Sequence, residues 1–343
     1  VIINPATGLV DSWEVDGEEY LKKDSFQLIA VDGTYNSWGL WTEETACRRN
    51  FNLLTSHEGS EFSGLRDQVA PSVKVIEDGP VRTVVEALFG WHNSKIWQRY
   101  ILPKRGVSIE VETGVYWNEN DMVLKMQIPT VLENGSYLGQ VMFGHETLCQ
   151  EGQEVVAQKW NAITDGRRAL AVFNRGSHGS CERDGVIGLT LLHSAGYSAA
   201  DGNYERTLRE LRHTVRMEQG ERLFSFRLQA GKVEQLMDHL DQEGQIYNEQ
   251  PYAFAFSPSG NGEKKGTFIT VDNDAVLISA FKRAESGKGY TIRVFEGAGK
   301  DSKAVLRLPW AGLETEIHLH PFEVKTLHFD ETTGVIVETD LLD

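Results

Sequence analysis

Apolar and polar positions alternate along most of the chain, in short runs that are rich in β-branched and aromatic residues and end at Gly, Asn, Asp or Pro. This period of two is typical of strands that bury one face. The pattern predicts strands at residues 73–76, 81–89, 107–117, 122–128, 169–174, 189–193 and 223–228. We therefore expect an all-β fold.

Two of the predicted strands are long and flank a polar turn. Residues 81–89 and 95–102 lie on either side of residues 90–94, which contain Gly and Asn. A further run follows the turn formers at 103–106, so three antiparallel strands are expected to form a meander. Strands of this length favour a large β-sandwich over a small barrel.

The pattern changes after residue 230. Four apolar residues at helical spacing predict a short amphipathic helix at 232–247. Turn formers and charges at 257–266 predict a linker, and six further short strands after it predict a second, smaller sandwich. The expected domains are residues 1–260, a large β-sandwich, and residues 261–343, a small C-terminal β-sandwich.

Composition limits the classes of partner. The 343 residues include 50 acidic and 34 basic side chains, a net charge of −16 that repels phosphate backbones and anionic membranes. We expect no nucleic-acid partner and no membrane partner. The three cysteines form no C-x-x-C pair, which favours a reducing, cytoplasmic location over a disulfide framework or a cysteine zinc site.

Motifs that would identify an autonomous enzyme are missing from the sequence. It contains no G-x-S-x-G, H-E-x-x-H, P-loop or G-x-G-x-x-G in a strand-to-helix context. This argues against an α/β-hydrolase with a nucleophile elbow, a zincin metalloprotease, a P-loop nucleotide triphosphatase and a Rossmann dinucleotide-binding protein. The sequence nominates no carboxylate pair for glycoside hydrolysis, so we predict no catalytic residue and no metal ligand in this chain.

Two short polar stretches are candidates for substrate binding. His145 and Glu146 follow an apolar strand end, where an imidazole and a carboxylate could act as an acid–base or sugar-binding pair. Arg175 and His178 lie in a glycine-flanked loop, where their donors could face a polyol or a carboxylate. The alternatives are a solvated strand end for the first pair and a tight exposed turn for the second.

Tryptophans could supply a flat surface for a sugar ring. Trp38 and Trp41 lie in a loop-like stretch, where partial exposure is expected. Trp97 and Trp117 lie on predicted strands, and we expect both in the hydrophobic core.

A series of segments resembles the C-terminal β region of glycoside hydrolase family 38, the α-mannosidases, of bacterial type. The segments are GPVRTVV at 79–85, VETGVYW at 111–117, LKMQIP at 124–129, FGHE at 143–146, VAQKW at 156–160, AVFNRGSHG at 171–179, LTLLHS at 189–194, VLISAFKRAE at 276–285, TIRVFEG at 291–297 and PFEVKT at 321–326. They occur in the family's order over nearly the whole chain. The resemblance implies a large galactose-mutarotase-like β-supersandwich followed by a small β-sandwich.

The resemblance also implies an activity. The family's enzymes are exo-acting, retaining α-mannosidases with an Asp nucleophile and a zinc ion that holds the mannose hydroxyls, on an N-terminal β/α domain that precedes the β region. This chain shows no β/α alternation and no His-His-Asp segment, so the nucleophile and the zinc ligands have no counterpart here. Val1 opens the chain without Met, and we expect a longer protein cut after its catalytic domain. One departure is His193, where many relatives carry Arg.

These expectations lead to one main hypothesis and two alternatives. The main hypothesis is the non-catalytic C-terminal portion of an α-mannosidase, which shapes the cleft and stabilises the assembly. Its expected partners are its own N-terminal catalytic domain, which carries the zinc, the α-mannoside substrate and further copies of itself in a homo-oligomer. The alternatives are an autonomous aldose-epimerase-like enzyme using His145, Glu146 and His178, and a free-standing carbohydrate-binding domain.

Overall fold

The computed structural model describes residues 1–33, 37, 47–197, 215–255, 261 and 266–340. These residues form two compact units. Unit 1 contains Val1–Leu138 and Thr147–Val233, and unit 2 contains Gly139–Glu146 and Glu234–Asp343. Trp38, Trp41 and most of the predicted linker lie outside the described residues.

Strands dominate unit 1. They are β1 (Ile2–Ile3), β2 (Val10–Ser12), β3 (Glu14–Val15), β4 (Glu18–Glu19), β5 (Gln27–Asp32), β6 (Arg48–Asn50), β7 (Asn52–Leu53), β8 (Val73–Asp78), β9 (Arg82–Trp91), β10 (Ser94–Pro103), β11 (Ser108–Trp117), β12 (Met122–Pro129), β13 (Ser136–Val141), β14 (Gly144–Thr147), β15 (Val155–Val156), β16 (Trp160–Thr164), β17 (Arg168–Asn174), β18 (Gly179–Arg183), β19 (Val186–His193) and β20 (Gly220–Lys232). Two of these strands leave unit 1: β13 carries the chain into unit 2, and β14, to which it is hydrogen-bonded, belongs to unit 2 up to Glu146.

Two sheets of unit 1 enclose its core. The larger has the order β16-β17-β20-β11-β10-β9-β7, with β8 also paired to β9, and the smaller has the order β15-β18-β19-β12-β5-β6. Alternate residues of both sheets face inward, as the period-two pattern requires. Phe89, Val111 and Phe226 from the larger sheet join Leu124 and Leu189 from the smaller one in a single apolar cluster.

The predicted meander is present. Strands β9, β10 and β11 pair antiparallel in consecutive order, and β11 pairs on its other side with β20. The turn between β9 and β10 has only two residues, since Trp91 pairs with Ser94. His92 occupies it with a φ of +47°, the left-handed conformation that such tight turns require.

Unit 2 contains a second, separate core. Its further strands are β21 (Thr270–Val271), β22 (Val276–Arg283), β23 (Tyr290–Glu296), β24 (Ser302–Leu308), β25 (Leu313–Leu319), β26 (Val324–Asp330) and β27 (Val335–Thr339). They form a sheet β21-β24-β25 and a sheet β22-β23-β26-β27. Ile292, Val294, Leu306 and Phe329 are buried in the cluster that these strands share.

Helices are short. They are α1 (Ser56–Phe62), α2 (Val233–Leu236) and α3 (Leu240–Asn248), with 3-10 segments at Met237–His239 and Pro309–Ala311. The capping box of Thr55 and Glu58 starts α1. In unit 2, the amide of Gln140 on β13 donates to Asp241 of α3 at 2.7 Å. None of the helices in the described part of the chain has the length and apolar composition needed to cross a bilayer.

The all-β prediction, a large sandwich followed by a small one, is confirmed. The helix predicted at 232–247 is confirmed as well, as α2, a 3-10 turn and α3 in succession. The boundary predicted at residue 260 falls outside the described residues, so the division into 1–260 and 261–343 stays a prediction.

Candidate functional site

His145 and Glu146 are successive residues of β14 in unit 2. His145 is half-buried: its Nδ1 lies 3.4 Å from the carbonyl oxygen of Gly297, and its ring meets that of Phe322 edge-on at 5.1 Å. Glu146 is exposed. Because neighbouring side chains of a strand leave it on opposite faces, the two do not share a face. Their role in substrate binding stays a prediction.

Arg175 and His178 lie together in the loop between β17 and β18 of unit 1, and both are exposed. Nδ1 of His178 lies 3.0 Å from the carbonyl oxygen of Gln158, which also accepts from the side-chain amide of Asn174 at 2.8 Å. Since a carbonyl oxygen only accepts, Nδ1 carries the hydrogen, and Nε2 of the neutral ring is an acceptor. The loop is thus fixed while one ring nitrogen faces outward; its role in substrate binding stays a prediction.

A histidine–carboxylate pair that the sequence did not indicate lies at the turn between β9 and β10. Nδ1 of His92 is 2.7 Å from Glu119, whose carboxylate also accepts from the backbone of Asn93 and the hydroxyl of Ser94. Glu119 is only 6% exposed, so these bonds are needed to offset its burial. The partners are 27 residues apart in sequence, and only the strand pairing brings them together.

Metal ligands do not converge in the part of the chain that the structure describes. No three His, Cys, Asp or Glu side chains there form a group that could hold a metal ion. The residues at hand do not fit the zinc site that the resemblance implies for a catalytic domain, and we derive no step through zinc.

A concave site lies on the outer face of the larger sheet of unit 1. This cleft, which we call the Trp97 cleft, has a volume of about 630 Å³, within the range of small-molecule sites. Its lining comes from α1, β8, β9, β10, β11 and β20. The lining residues are Phe62, Ser63, Lys74, Glu86, Leu88, Trp97, Arg99, Gly114, Val115, Tyr116, Glu221, Arg222 and Leu223.

Strand register builds the centre of the Trp97 cleft. Trp97 is the cross-strand partner of Gly114, whose missing side chain leaves room for the indole. A Cβ at Gly114 would lie 2.0 Å from Cε2 of Trp97, so only glycine permits this packing. Arg99 lies two residues further along β10, with its guanidinium carbon 4.3 Å from the centre of the Trp97 ring.

A carboxylate fixes that guanidinium. Nε of Arg99 donates to Glu86 at 2.9 Å, and Nζ of Lys74 lies 3.3 Å from the other oxygen of Glu86. The Glu86 side chain is 10% exposed, whereas that of Arg99 is 37% exposed. The cleft therefore presents an oriented, accessible hydrogen-bond donor.

The prediction that Trp97 and Trp117 both lie in the hydrophobic core is confirmed for Trp117 and wrong for Trp97. Trp117 is 1% exposed in the core, as predicted. Trp97 is half-buried on the opposite face of the sheet. The signal that could have revealed this is the alternation of β10 itself, because Ile96, Gln98 and Tyr100 are fully buried and so place Trp97 and Arg99 on the outer face.

Comparison with known proteins gives the family. The model of the "Glycosyl hydrolases family 38 C-terminal domain" matches residues 1–201. Alpha-mannosidase G of Dictyostelium discoideum is 25% identical over 91% of this chain, and the human alpha-mannosidase 2C1 is 23% identical over 63% of it. The chain spans 30% and 20% of the lengths of these two relatives.

Solved structures share the fold. A glycosyl hydrolase family 38 protein from Enterococcus faecalis superimposes with a TM-score of 0.72 at 14% identity, over 92% of this chain and 41% of that one. An alpha-mannosidase from Enterococcus faecalis V583 gives 0.71 at 15% identity, over 92% and 39%. With the family model covering more than half of its residues, the chain belongs to glycosyl hydrolase family 38, in which it corresponds to the C-terminal domain.

Proposed function

We propose that this chain is the non-catalytic C-terminal portion of an α-mannosidase-like glycoside hydrolase, whose full-length form hydrolyses α-mannosidic bonds. The match to the family's C-terminal domain carries the proposal. The relative named alpha-mannosidase G supports it, because the chain aligns over 91% of its own length with only 30% of that protein.

In this proposal the chain shapes the substrate cleft and stabilises the assembly. Its partners are the N-terminal catalytic domain of the same protein, the α-mannoside substrate and further copies in a homo-oligomer. Zinc belongs to the catalytic domain, and this chain has no cofactor of its own. The protein acts in the cytoplasm, in mannose metabolism.

Substrate contact is assigned to His145, Glu146, Arg175 and His178. Their chemistry suits sugar hydroxyls, which both donate and accept hydrogen bonds. His178 is the best defined of the four, since its bond to Gln158 fixes the ring and leaves Nε2 as the acceptor. Such contacts position the sugar, while the chemical step needs two carboxylates about 5–5.5 Å apart. We assign no catalytic carboxylate to this chain.

An activity assay separates the chain from the full enzyme. The purified 343-residue chain is incubated with 4-nitrophenyl α-mannoside, with and without zinc, beside a longer protein in which a family 38 catalytic domain precedes this chain. We expect no turnover by the chain and zinc-dependent turnover by the longer protein. A zinc-dependent α-mannosidase rate from the chain alone would contradict the proposal.

The same longer protein tests the assigned contacts. His178→Ala removes a positioning contact, so we expect a higher KM with little change in kcat. His57→Ala is the matched control, because His57 is an exposed histidine of α1 and should leave both constants unchanged. Equal KM values for the two variants would show that His178 does not contact the substrate.

A further inference from the structure

The Trp97 cleft contains hydrogen-bond donors that have no acceptor among the described residues. Within the described residues, the hydrogen bond of Arg99 runs from Nε to Glu86, and neither Nη group donates to the protein. The guanidinium is nevertheless held in place, by Glu86 on one edge and by the indole of Trp97 at 4.3 Å. The guanidinium of arginine is a planar, fork-shaped group with donors that can bind two neighbouring oxygens. Because its orientation is already fixed here, it loses little conformational entropy on binding them.

Charges alternate in sign across the strands beside this fork. In cross-strand register, Lys74 faces Glu86, Glu86 faces Arg99, and Arg99 faces Glu112. Two positive and two negative side chains balance, and the chain as a whole carries −16. Neither these four side chains nor the net charge of the chain favours the binding of an anion. A neutral polyol, in contrast, can both accept hydrogen bonds from Arg99 and donate them to carboxylates.

Part of the remaining wall of the cleft is apolar, beside the polar side chains of Ser63, Glu221 and Arg222. Leu88 is the cross-strand partner of Trp97, and Leu223 is the partner of Gly114, so these residues form a row across β9, β10, β11 and β20. Leu223 is 64% exposed and Tyr116, in the same lining, is 49% exposed. Large exposed apolar groups beside oriented polar ones are characteristic of a ligand site.

A pyranose ring matches both the apolar and the polar part of the cleft surface. Its C–H face is apolar and can lie on Tyr116 and Leu223, while two vicinal hydroxyls on the ring edge are spaced for the two Nη groups of Arg99. The cleft of about 630 Å³ accommodates one or two such rings. We propose that the Trp97 cleft of unit 1 binds a neutral hexopyranoside, with Arg99 as the residue that holds its vicinal hydroxyls.

Direct binding to the 343-residue chain tests the site. The probe is methyl α-D-mannopyranoside, titrated by calorimetry up to about 30 mM, since so small a ligand is expected to bind with a Kd of about 1 mM. Arg99→Gln removes the fork and should weaken binding at least about tenfold. Arg99→Lys keeps the charge but not the planar fork, and should also weaken binding.

Arg105→Gln is the matched control. Arg105 is an exposed arginine in the turn between β10 and β11, outside the lining of the cleft, and its replacement should leave the Kd unchanged. Thermal unfolding of each variant verifies that it is folded. The direct readout is binding by the chain, so it is independent of whether the full-length protein is an α-mannosidase.

Three outcomes would overturn the inference. The first is no binding of the glycoside at the highest concentration. The second is an unchanged Kd in a folded Arg99→Gln variant, which would place the sugar elsewhere. The third is tighter binding of D-glucuronate than of the neutral glycoside, which would make the cleft an anion site.

Discussion

Glu19 shows how a single carboxylate organises the start of unit 1. One of its oxygens accepts from the backbone N–H groups of Trp13, Tyr20 and Leu21 at 2.7, 3.1 and 3.2 Å, and the other accepts from the hydroxyl of Ser12. Burial by itself would raise the pKa of Glu19, but these hydrogen bonds outweigh it, so the pKa lies below its ordinary value of 4.5. The ionised form is therefore part of the folded structure.

Replacement by the neutral isostere tests this role. We expect Glu19→Gln to lower the free energy of unfolding by about 1.5–3 kcal/mol at pH 7, because an amide is a weaker acceptor for three buried N–H groups. Chemical denaturation measures the change. Glu61→Gln, at an exposed position of α1, should change stability by less than about 0.5 kcal/mol.

The lowered pKa also fixes the sign of the pH dependence. A carboxyl whose pKa is lower in the folded state contributes its full stability above the unfolded value, near 4.5, and loses it as the pH falls through the folded value. The difference in stability between the wild type and Glu19→Gln should therefore shrink below about pH 4.5. A difference that stays constant from pH 7 to about pH 3 would contradict this account.

At the scale of strands, β10 and β11 show what register can do. Each strand buries alternate residues in the core, and the outward residues of the two strands face each other. Opposite the largest outward residue, Trp97, the register places Gly114. The concave centre of the Trp97 cleft results from this pairing of a large and a missing side chain.

Filling that space should be costly. In Gly114→Ala the new methyl would lie 2.0 Å from the indole of Trp97, so the ring must move and we expect a loss of about 1–3 kcal/mol. Trp97→Ala in the same chain removes the clash, so the alanine at 114 should cost less there. A double-mutant cycle by chemical denaturation measures the coupling.

One result of the double-mutant cycle would contradict the packing of Trp97 on Gly114. If Gly114→Ala costs the same with and without Trp97, the indole does not pack on Gly114. Gly79→Ala is a useful control, because a Cβ there meets no atom within 4 Å and its effect should not depend on Trp97.

Sequence reasoning predicted the strands but did not predict the Trp97 cleft. Alternation and turn residues were enough for the meander, since these are local signals. Arg99, Glu86 and Lys74 come from three strands, and a local pattern cannot state which residues face each other across strands. The pair of His92 and Glu119 was missed for the same reason, whereas Trp97 could have been assigned by counting from its buried neighbours.

For the whole molecule, the main physical fact is that, within the described residues, each of the two units has a main hydrophobic core of its own. The cluster of unit 1 draws on the two large sheets, and the cluster of unit 2 draws on β22 to β26. Two sandwiches were predicted from the sequence, because strands occur both before and after the predicted linker and because the family-like segments occur in the family's order. The exact division could not be read from the sequence, because it depends on contacts such as that between Gln140 and Asp241, 101 residues apart.

Two separate cores predict that one substitution can destabilise one unit selectively. Leu228 of β20 and Leu306 of β24 are both 0% exposed, each in the core of its own unit, so Leu→Ala at either site removes the same buried atoms. Each change should cost about 2–5 kcal/mol. We expect calorimetry to show two transitions, with Leu228→Ala lowering the Tm of one and Leu306→Ala lowering the Tm of the other. A single transition whose calorimetric and van't Hoff enthalpies agree, shifted alike by both variants, would instead show that the two cores unfold as one cooperative unit.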